Sequence, residues 1–240
     1  MKLIFHGARG YIDPRTELHN MHTVTEVVYE GKGVTIDCGE DWRGHLDELN
    51  PRALIVTHAH PDHVWGLKDG APCPVYATEE AWEEMDGYGI EDRHVVRPRE
   101  PVTIRGITFE AFPVVHSTRA PAVGYRVTAG VVSIFYVPDL VYIEDREAAL
   151  SGVKVYIGDG ATIDRSMVRK PGDSLIGHTP VRTQLTWCKK LDVPRAIITH
   201  CGAQIVDADP DEVQAKIDEY GEERGVEARI ATDGMELVIR

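Results

Sequence analysis

The segment Thr57-His58-Ala59-His60-Pro61-Asp62-His63 holds three imidazoles and one carboxylate within a single short stretch. Neutral imidazole and carboxylate are ligands for zinc and similar divalent ions. On extended backbone His58 and His60, two apart, point the same way and can grip one ion. Asp62 and His63 follow where Pro61 opens a new conformation, and they aim at a neighbouring point. That arrangement favours two ions sharing a site. Such a site needs more ligands than these four, and three other positions offer themselves. His116, Asp139 and His200 directly follow the apolar runs Phe112–Val115, Ile134–Pro138 and Ala196–Thr199. Ligands at strand ends stand on a rigid frame and converge on one edge of the sheets. Asp37, after Val34-Thr35-Ile36, belongs to the same edge.

The elements that must position these groups are mostly strands. Lys2–His6, Thr23–Tyr29 and Gly33–Asp37 read as strands, the last two forming a hairpin through Glu30-Gly31-Lys32. Ala53–Thr57 is a continuous apolar run, as expected of a strand covered on both faces. Further strands are expected at Val75–Ala77, Val102–Ile104, Ile107–Val115, Val123–Thr128, Val131–Val137, Val153–Ile157 and Ala196–Thr199, with a turn at Ala129-Gly130. Helices are expected from a Thr78 cap through Met85, after Thr179-Pro180, and from Pro210. There are too many strands for a simple βα repeat. Two sheets with helices outside them suit the pattern better.

Composition narrows the function. The 240 residues are 42% apolar and 27% charged, the mix of a globular protein with a sizeable core. No repeat or linker divides them, so one domain, 1–240, is expected. The net charge of −13 opposes a broad grip on nucleic acid or docking on an anionic membrane. A small anionic substrate stays open, because a bound metal dominates the local field. No apolar run approaches the roughly 18 residues of a membrane span, and Met1–Gly10 lacks a signal-peptide core. Cys38, Cys73, Cys188 and Cys201 form no C-x-x-C pair and read as reduced thiols. A cytoplasmic protein with a small-molecule substrate is the simplest expectation.

With these residues in view, the chain resembles the metallo-β-lactamase-fold hydrolases. Asp37, the Thr57–His63 motif with Gly66 after it, His116, Asp139 and His200 stand in that superfamily's order. The resemblance implies an α/β fold, an αββα sandwich of two mixed β-sheets flanked by helices. It also implies a ligand set. The positions matching His58, His60 and His116 hold the first metal, those matching Asp62, His63 and His200 the second, and Asp139 bridges them. Asp37 would orient a ligand. The cofactors implied are two divalent ions, zinc first, with manganese or iron as alternatives. Homodimers are common among such relatives.

Ile176-Gly177-His178-Thr179-Pro180 narrows the branch. It is similar to the group containing ribonuclease Z, phosphoribosyl cyclic phosphodiesterase and the pyrroloquinoline-quinone biosynthesis B protein, which place a histidine before such a helix. Gly158-Asp159-Gly160-Ala161 resembles a stretch of the last of these, and Phe5–Gly10 resembles the branch's opening. In the phosphodiesterases the residue matching His178 assists proton transfer or holds a phosphate oxygen. Tyr136 stands where ribonuclease Z has a glutamate, and no long basic arm is evident, so polynucleotide processing is not expected.

The reading is therefore a dinuclear metal-dependent hydrolase, a phosphodiesterase on a small phosphodiester, cyclic ones included. A metal-bridging hydroxide would be the nucleophile, Asp62 would orient it and His178 would donate the proton. Two alternatives stay open: a lactone, thioester or carboxylic-ester hydrolase on the same metals, and a non-hydrolytic metal-binding accessory of biosynthesis. Arg9 and Arg119 are either phosphate partners or surface arginines. His19 and His22 are either a polar loop over the site or part of the substrate pocket.

Overall fold

The computed structural model describes residues 1–240. Six strands come first: β1 (Lys2–Gly7), β2 (Val24–Tyr29), β3 (Lys32–Ile36), β4 (Leu54–Ile55), β5 (Val75–Ala77) and β6 (Arg93–Val95). Eight follow: β7 (Val102–Ile104), β8 (Ile107–Val115), β9 (Ala122–Ala129), β10 (Val132–Tyr136), β11 (Tyr142–Ile143), β12 (Val155–Asp159), β13 (Arg195–Thr199) and β14 (Glu227–Ile230). A last strand, β15 (Met235–Val238), returns to the first sheet beside β1.

The first sheet has the order β15-β1-β2-β3-β4-β5-β6, the second β11-β8-β9-β10-β12-β13-β14 with β7 paired to β8. Both follow one plan. Antiparallel hairpins (β1-β2-β3; β8-β9-β10) give way to parallel strands (β3-β4-β5-β6; β10-β12-β13-β14). Parallel strands need crossovers, and helices supply most of them.

Three apolar clusters show the layering. The central one joins Leu3, Phe5, Val27 and Ile36 of the first sheet to Phe109, Tyr125, Ile134 and Ile197 of the second. A second packs Phe135, Tyr156 and Ile198 under helices Val181–Lys190 and Pro210–Glu222, through Leu185, Cys188 and Ile217. The third packs Leu54, Val56 and Val75 under helix Glu79–Glu84, through Ala81 and Trp82. The order is helix, sheet, sheet, helix: the αββα sandwich.

Local chemistry explains the elements. The β2–β3 hairpin pairs Tyr29 with Lys32, so its turn is Glu30-Gly31, and both residues take positive φ as a type I′ hairpin turn requires. Thr78 caps its helix by accepting from the Ala81 N–H, and Asp209 caps Pro210–Glu222. Several expectations need correction. The β9–β10 turn is Gly130-Val131, one residue later than expected. Ala53–Thr57 is buried throughout but ladders only at Leu54–Ile55. The N–H of its last residue turns to the Asp37 carboxylate, while its carbonyl accepts from the Val123 N–H of β9. Strands β6, β11, β14 and β15 and helix Arg146–Leu150 were not foreseen; they are short, and most mix charged with apolar residues.

Candidate metal centre

The site lies at one edge of the sandwich, on segments that leave the ends of β3, β4, β8, β10, β12 and β13. Asp37 and His200, each just past its strand, take left-handed backbone with φ of 63° and 52°. Non-glycine residues seldom adopt that conformation. Here it turns the chain sharply and swings each side chain into the site. Pro61 opens the short helix Pro61–Val64, which carries Asp62 and His63 away from the extended loop of His58 and His60. The loop before it is pressed close: a Cβ on Gly39 would lie 2.1 Å from the Asp62 carbonyl oxygen.

His58, His60 and His116 form one group. Thr57 Oγ1 donates to Asp37 Oδ2 at 2.8 Å and accepts from His58 Nδ1 at 3.1 Å. That leaves the His58 Nε2 lone pair facing inward, 3.0 Å from His60 Nδ1. His116 Nδ1 donates to the Gly177 carbonyl at 3.2 Å, and its Nε2 also faces His60 Nδ1, at 3.2 Å. Three ring nitrogens therefore converge with too few protons between them. Burial first, and neighbouring imidazoles next, push the His58 pKa well below normal; His60 falls to about 4 and His116 is lowered, again chiefly by burial. All three are neutral donors, the form that ligates metal.

Asp62, His63, Asp139 and His200 form the second group. His63 Nδ1 donates to Asp37 Oδ2 at 2.8 Å, and its Nε2 points at Asp139 Oδ2 at 2.7 Å. His200 Nε2 sits 2.9 Å from Asp62 Oδ2 and its Nδ1 3.3 Å from Asp139 Oδ1. Burial opposes charge here, but the carboxylates outweigh it: His63 is raised well above its normal pKa and His200 to about 9, while Asp62 and Asp139 are held well below theirs. His63 Nε2, Asp139 Oδ1 and His200 Nδ1 are buried and make no hydrogen bond. Unpaired buried polar atoms are costly, and a cation would satisfy all three. The donor atoms within each group lie within 4.8 Å of one another, close enough to hold an ion. Asp139 also approaches His58 Nε2 at 3.6 Å, so it faces both groups.

His178 stands on the open side. Its Nδ1 is 2.8 Å from Asp159 Oδ2 and 3.2 Å from Asp139 Oδ1. Burial lowers its pKa, but those two carboxylates prevail and raise it to about 11. It lines a cavity of about 640 Å³ together with His200, Gly10 and Tyr11. Asp159 is the site residue that sequence reasoning passed over. It ends the fully buried strand β12, the same strand-end pattern that marked Asp139 and His200. Its carboxylate also accepts from the Leu140 and Ala161 N–H groups. Gln184, buried in helix Val181–Lys190, holds the assembly: its amide bonds Tyr156 Oη, both backbone groups of Asp159 and the Thr179 carbonyl.

Other candidates fall outside the centre. Arg9 is neither a phosphate partner nor a surface residue: it is buried, ion-paired to Asp41 and bonded to the Asn20 and Ile12 carbonyls. Arg119 is exposed. His22 packs beside Asp41, and His19 bonds the Ala231 carbonyl. Burial pushes the thiol pKa values of Cys38 and Cys201 up, so both are inert. No helix is long and apolar enough to cross a membrane.

Solved structures share the fold. The metallo-β-lactamase fold protein YhfI from Bacillus subtilis superposes with a TM-score of 0.74 at 15% identity, covering 98% of each chain. A diphosphatase of the PhnP family gives 0.71 at 21% identity, covering 98% of this chain and 96% of that one. Human tRNase Z, short form, gives 0.66 at 17% identity over the whole of both chains. A search of curated protein sequences finds no match. The Beta-lactamase superfamily domain matches residues 33–201, a span running from β3 through the segment that carries His200. With that match, this fold and these His/Asp clusters, the chain belongs to the metallo-β-lactamase superfamily, whose members are metal-dependent hydrolases.

Proposed function

We propose that this protein is a dinuclear phosphodiesterase acting on a small phosphodiester, cyclic ones included. In this reading His58, His60 and His116 hold one divalent ion, Asp62, His63 and His200 hold the other, and Asp139 serves both. The carrying observation is the convergence of unprotonated nitrogens and unbonded carboxylate oxygen beside a cavity that His178 faces. The nitrogen-rich first group favours zinc, with manganese or iron as alternatives. A cytoplasmic location, a small-molecule partner, a single domain and homodimers belong to the same proposal.

When bound, two divalent ions supply Lewis acidity and a water acidified toward neutral pH. The chain's own residues do the rest. Asp37 fixes the His63 tautomer by accepting its Nδ1 proton, and Thr57 and Gly177 fix His58 and His116 likewise. Asp62, ionised, can orient the attacking oxygen. His178 has Nδ1 engaged by Asp159 and no protein partner on Nε2, so Nε2 can hold a phosphate oxygen or pass a proton to the leaving oxygen.

The test is hydrolysis of bis(p-nitrophenyl) phosphate by metal-loaded protein. His178→Ala is expected to lower kcat by about 10²-fold or more, within the range of general acid catalysis. It should keep two metal equivalents by elemental analysis. No turnover of any phosphodiester by a two-metal preparation overturns the proposal.

A further inference from the structure

The short helix Ala203–Val206 borders two cavities: Ala203 and Gln204 line the one over the metal centre, and Ile205 and Val206 line another. The second has a volume of about 240 Å³. Leu18, Val213 and Ile230 extend its apolar wall, and no charged residue lines it. In a chain with 26 basic and 39 acidic residues, that lining sets the cavity apart. An apolar cavity of roughly 150 Å³ is enough to hold benzene. Apolar walls with a few placed polar groups are the usual form of a small-molecule site.

The polar group placed in this one is His19. It lines the cavity and is only 4% exposed, although Thr16, Glu17, Leu18 and Asn20 around it are all exposed. Its Nε2 lies 2.9 Å from the Ala231 carbonyl oxygen, which can only accept, so Nε2 carries the ring proton. Burial lowers the His19 pKa and keeps the ring neutral. Nδ1 is then a lone pair to which no group of the protein donates. The loop that presents the ring is fixed. His19 N–H donates to Thr16 Oγ1 at 3.2 Å, and Asp233 N–H to the Leu18 carbonyl at 2.8 Å. Asp233 Oδ2 accepts from the Asn20 and Met21 N–H groups at 2.9 and 2.8 Å. Gln214, also on the wall, is engaged elsewhere: its amide bonds the Asp218 carboxylate, the Ala228 carbonyl and the Ile230 N–H. A buried acceptor without a donor is costly, and the metal centre gives His19 no task.

We propose that this cavity binds a small uncharged molecule with an apolar ring or chain and one hydroxyl, the hydroxyl donating to His19 Nδ1. The apolar wall supplies affinity and the single acceptor sets the orientation. An ionic ligand is disfavoured, because nothing on the wall would pair its charge. The site stands apart from the phosphodiesterase reading, since it uses no metal ligand and not His178.

The test uses the metal-loaded full chain with phenol as the probe and toluene as a partner of the same size that lacks the donor. Nitrogen NMR of the histidine rings reads the contact in wild type. Phenol should move the His19 Nδ1 resonance upfield, as a lone pair does when it accepts a hydrogen bond, and toluene should bind without that shift. Calorimetry gives a second readout. The phenol-to-toluene affinity ratio should fall by roughly twofold to tenfold in His19→Leu, the scale of one net hydrogen bond. Val213→Phe, which fills the cavity, should abolish binding of both probes there. Ala208→Phe, at an exposed position of the lining, takes its place if a thermal melt shows the first variant unfolded. An unmoved His19 signal at the highest soluble phenol concentration overturns the proposal. So does an affinity ratio unchanged in a folded His19→Leu variant. Phenol binding that survives the cavity-filling variants places phenol elsewhere, the metal centre included, and overturns it as well.

Discussion

The two histidine groups sit side by side, yet they solve the problem of burial in opposite ways. Around His60, nitrogen faces nitrogen at 3.0 and 3.2 Å, and the rings stay neutral because burial outweighs the pull of Asp139. Around Asp139, each imidazole faces one or more carboxylates and takes up charge against the pull of burial. The first group is frustrated without a cation and has nothing to lose by binding one. The second is already braced internally by ion pairs, so a cation there would replace some of them as well as satisfy the buried atoms left unbonded. The difference teaches that a ligand set has a stability role of its own, separate from its affinity for metal.

Asp139 is where the contrast can be broken outright. It lies 2.7 Å from His63 Nε2 and 3.6 Å from His58 Nε2, so Asp139→Ala should weaken both groups together. We expect fewer than two metals by elemental analysis and a fall in phosphodiester hydrolysis of about 10³-fold or more, from lost charge stabilisation. A variant that keeps both metals would show that Asp139 braces histidines without serving the ions.

Metal-free protein separates the groups. His200→Ala removes the partner of buried Asp62 and Asp139, and stranding buried charge costs about 3–5 kcal/mol. That corresponds to a drop in Tm on the order of 10 °C for a chain of this size. His116→Ala removes a ring whose inward nitrogen opposes another, so its cost should be smaller, no more than about 2 kcal/mol of lost packing. Equal losses in the two apo proteins, measured by calorimetry under chelator, would erase the distinction.

How much of this was legible beforehand depends on how local the signal is. The Thr57–His63 run declares itself because its ligands are neighbours in sequence. His116, Asp139 and His200 were readable because each follows an apolar strand, and a strand end is a rigid platform. Asp159 obeys the same rule after Val155–Gly158, but its partner His178 is nineteen residues away. Gln184 gave no signal, since a lone glutamine on a helix reads as surface until tertiary packing buries it. Arg9 misled for the mirror reason: nothing local announces that Asp41, thirty-two residues on, will bury it. The strand extents failed where the chain leaves a ladder to serve the site, as at Thr57.

Thr57 also provides the smallest and sharpest test, because one hydroxyl touches both groups. It donates to Asp37, which holds His63, and accepts from His58 Nδ1. Thr57→Val keeps the shape and the backbone N–H bond to Asp37 but removes both hydroxyl contacts. The expected loss is about 1.5–3 kcal/mol in stability, the range for hydrogen bonds to charged groups. Metal affinity should fall by roughly 10–100-fold, as when an outer partner of a ligand is lost. Titration against a competing chelator resolves the two ions. If both weaken, the hydroxyl sets the His58 tautomer as well as the Asp37 brace. If only one weakens, the ion lost identifies which group depends on Thr57, and Thr57→Ser should restore it.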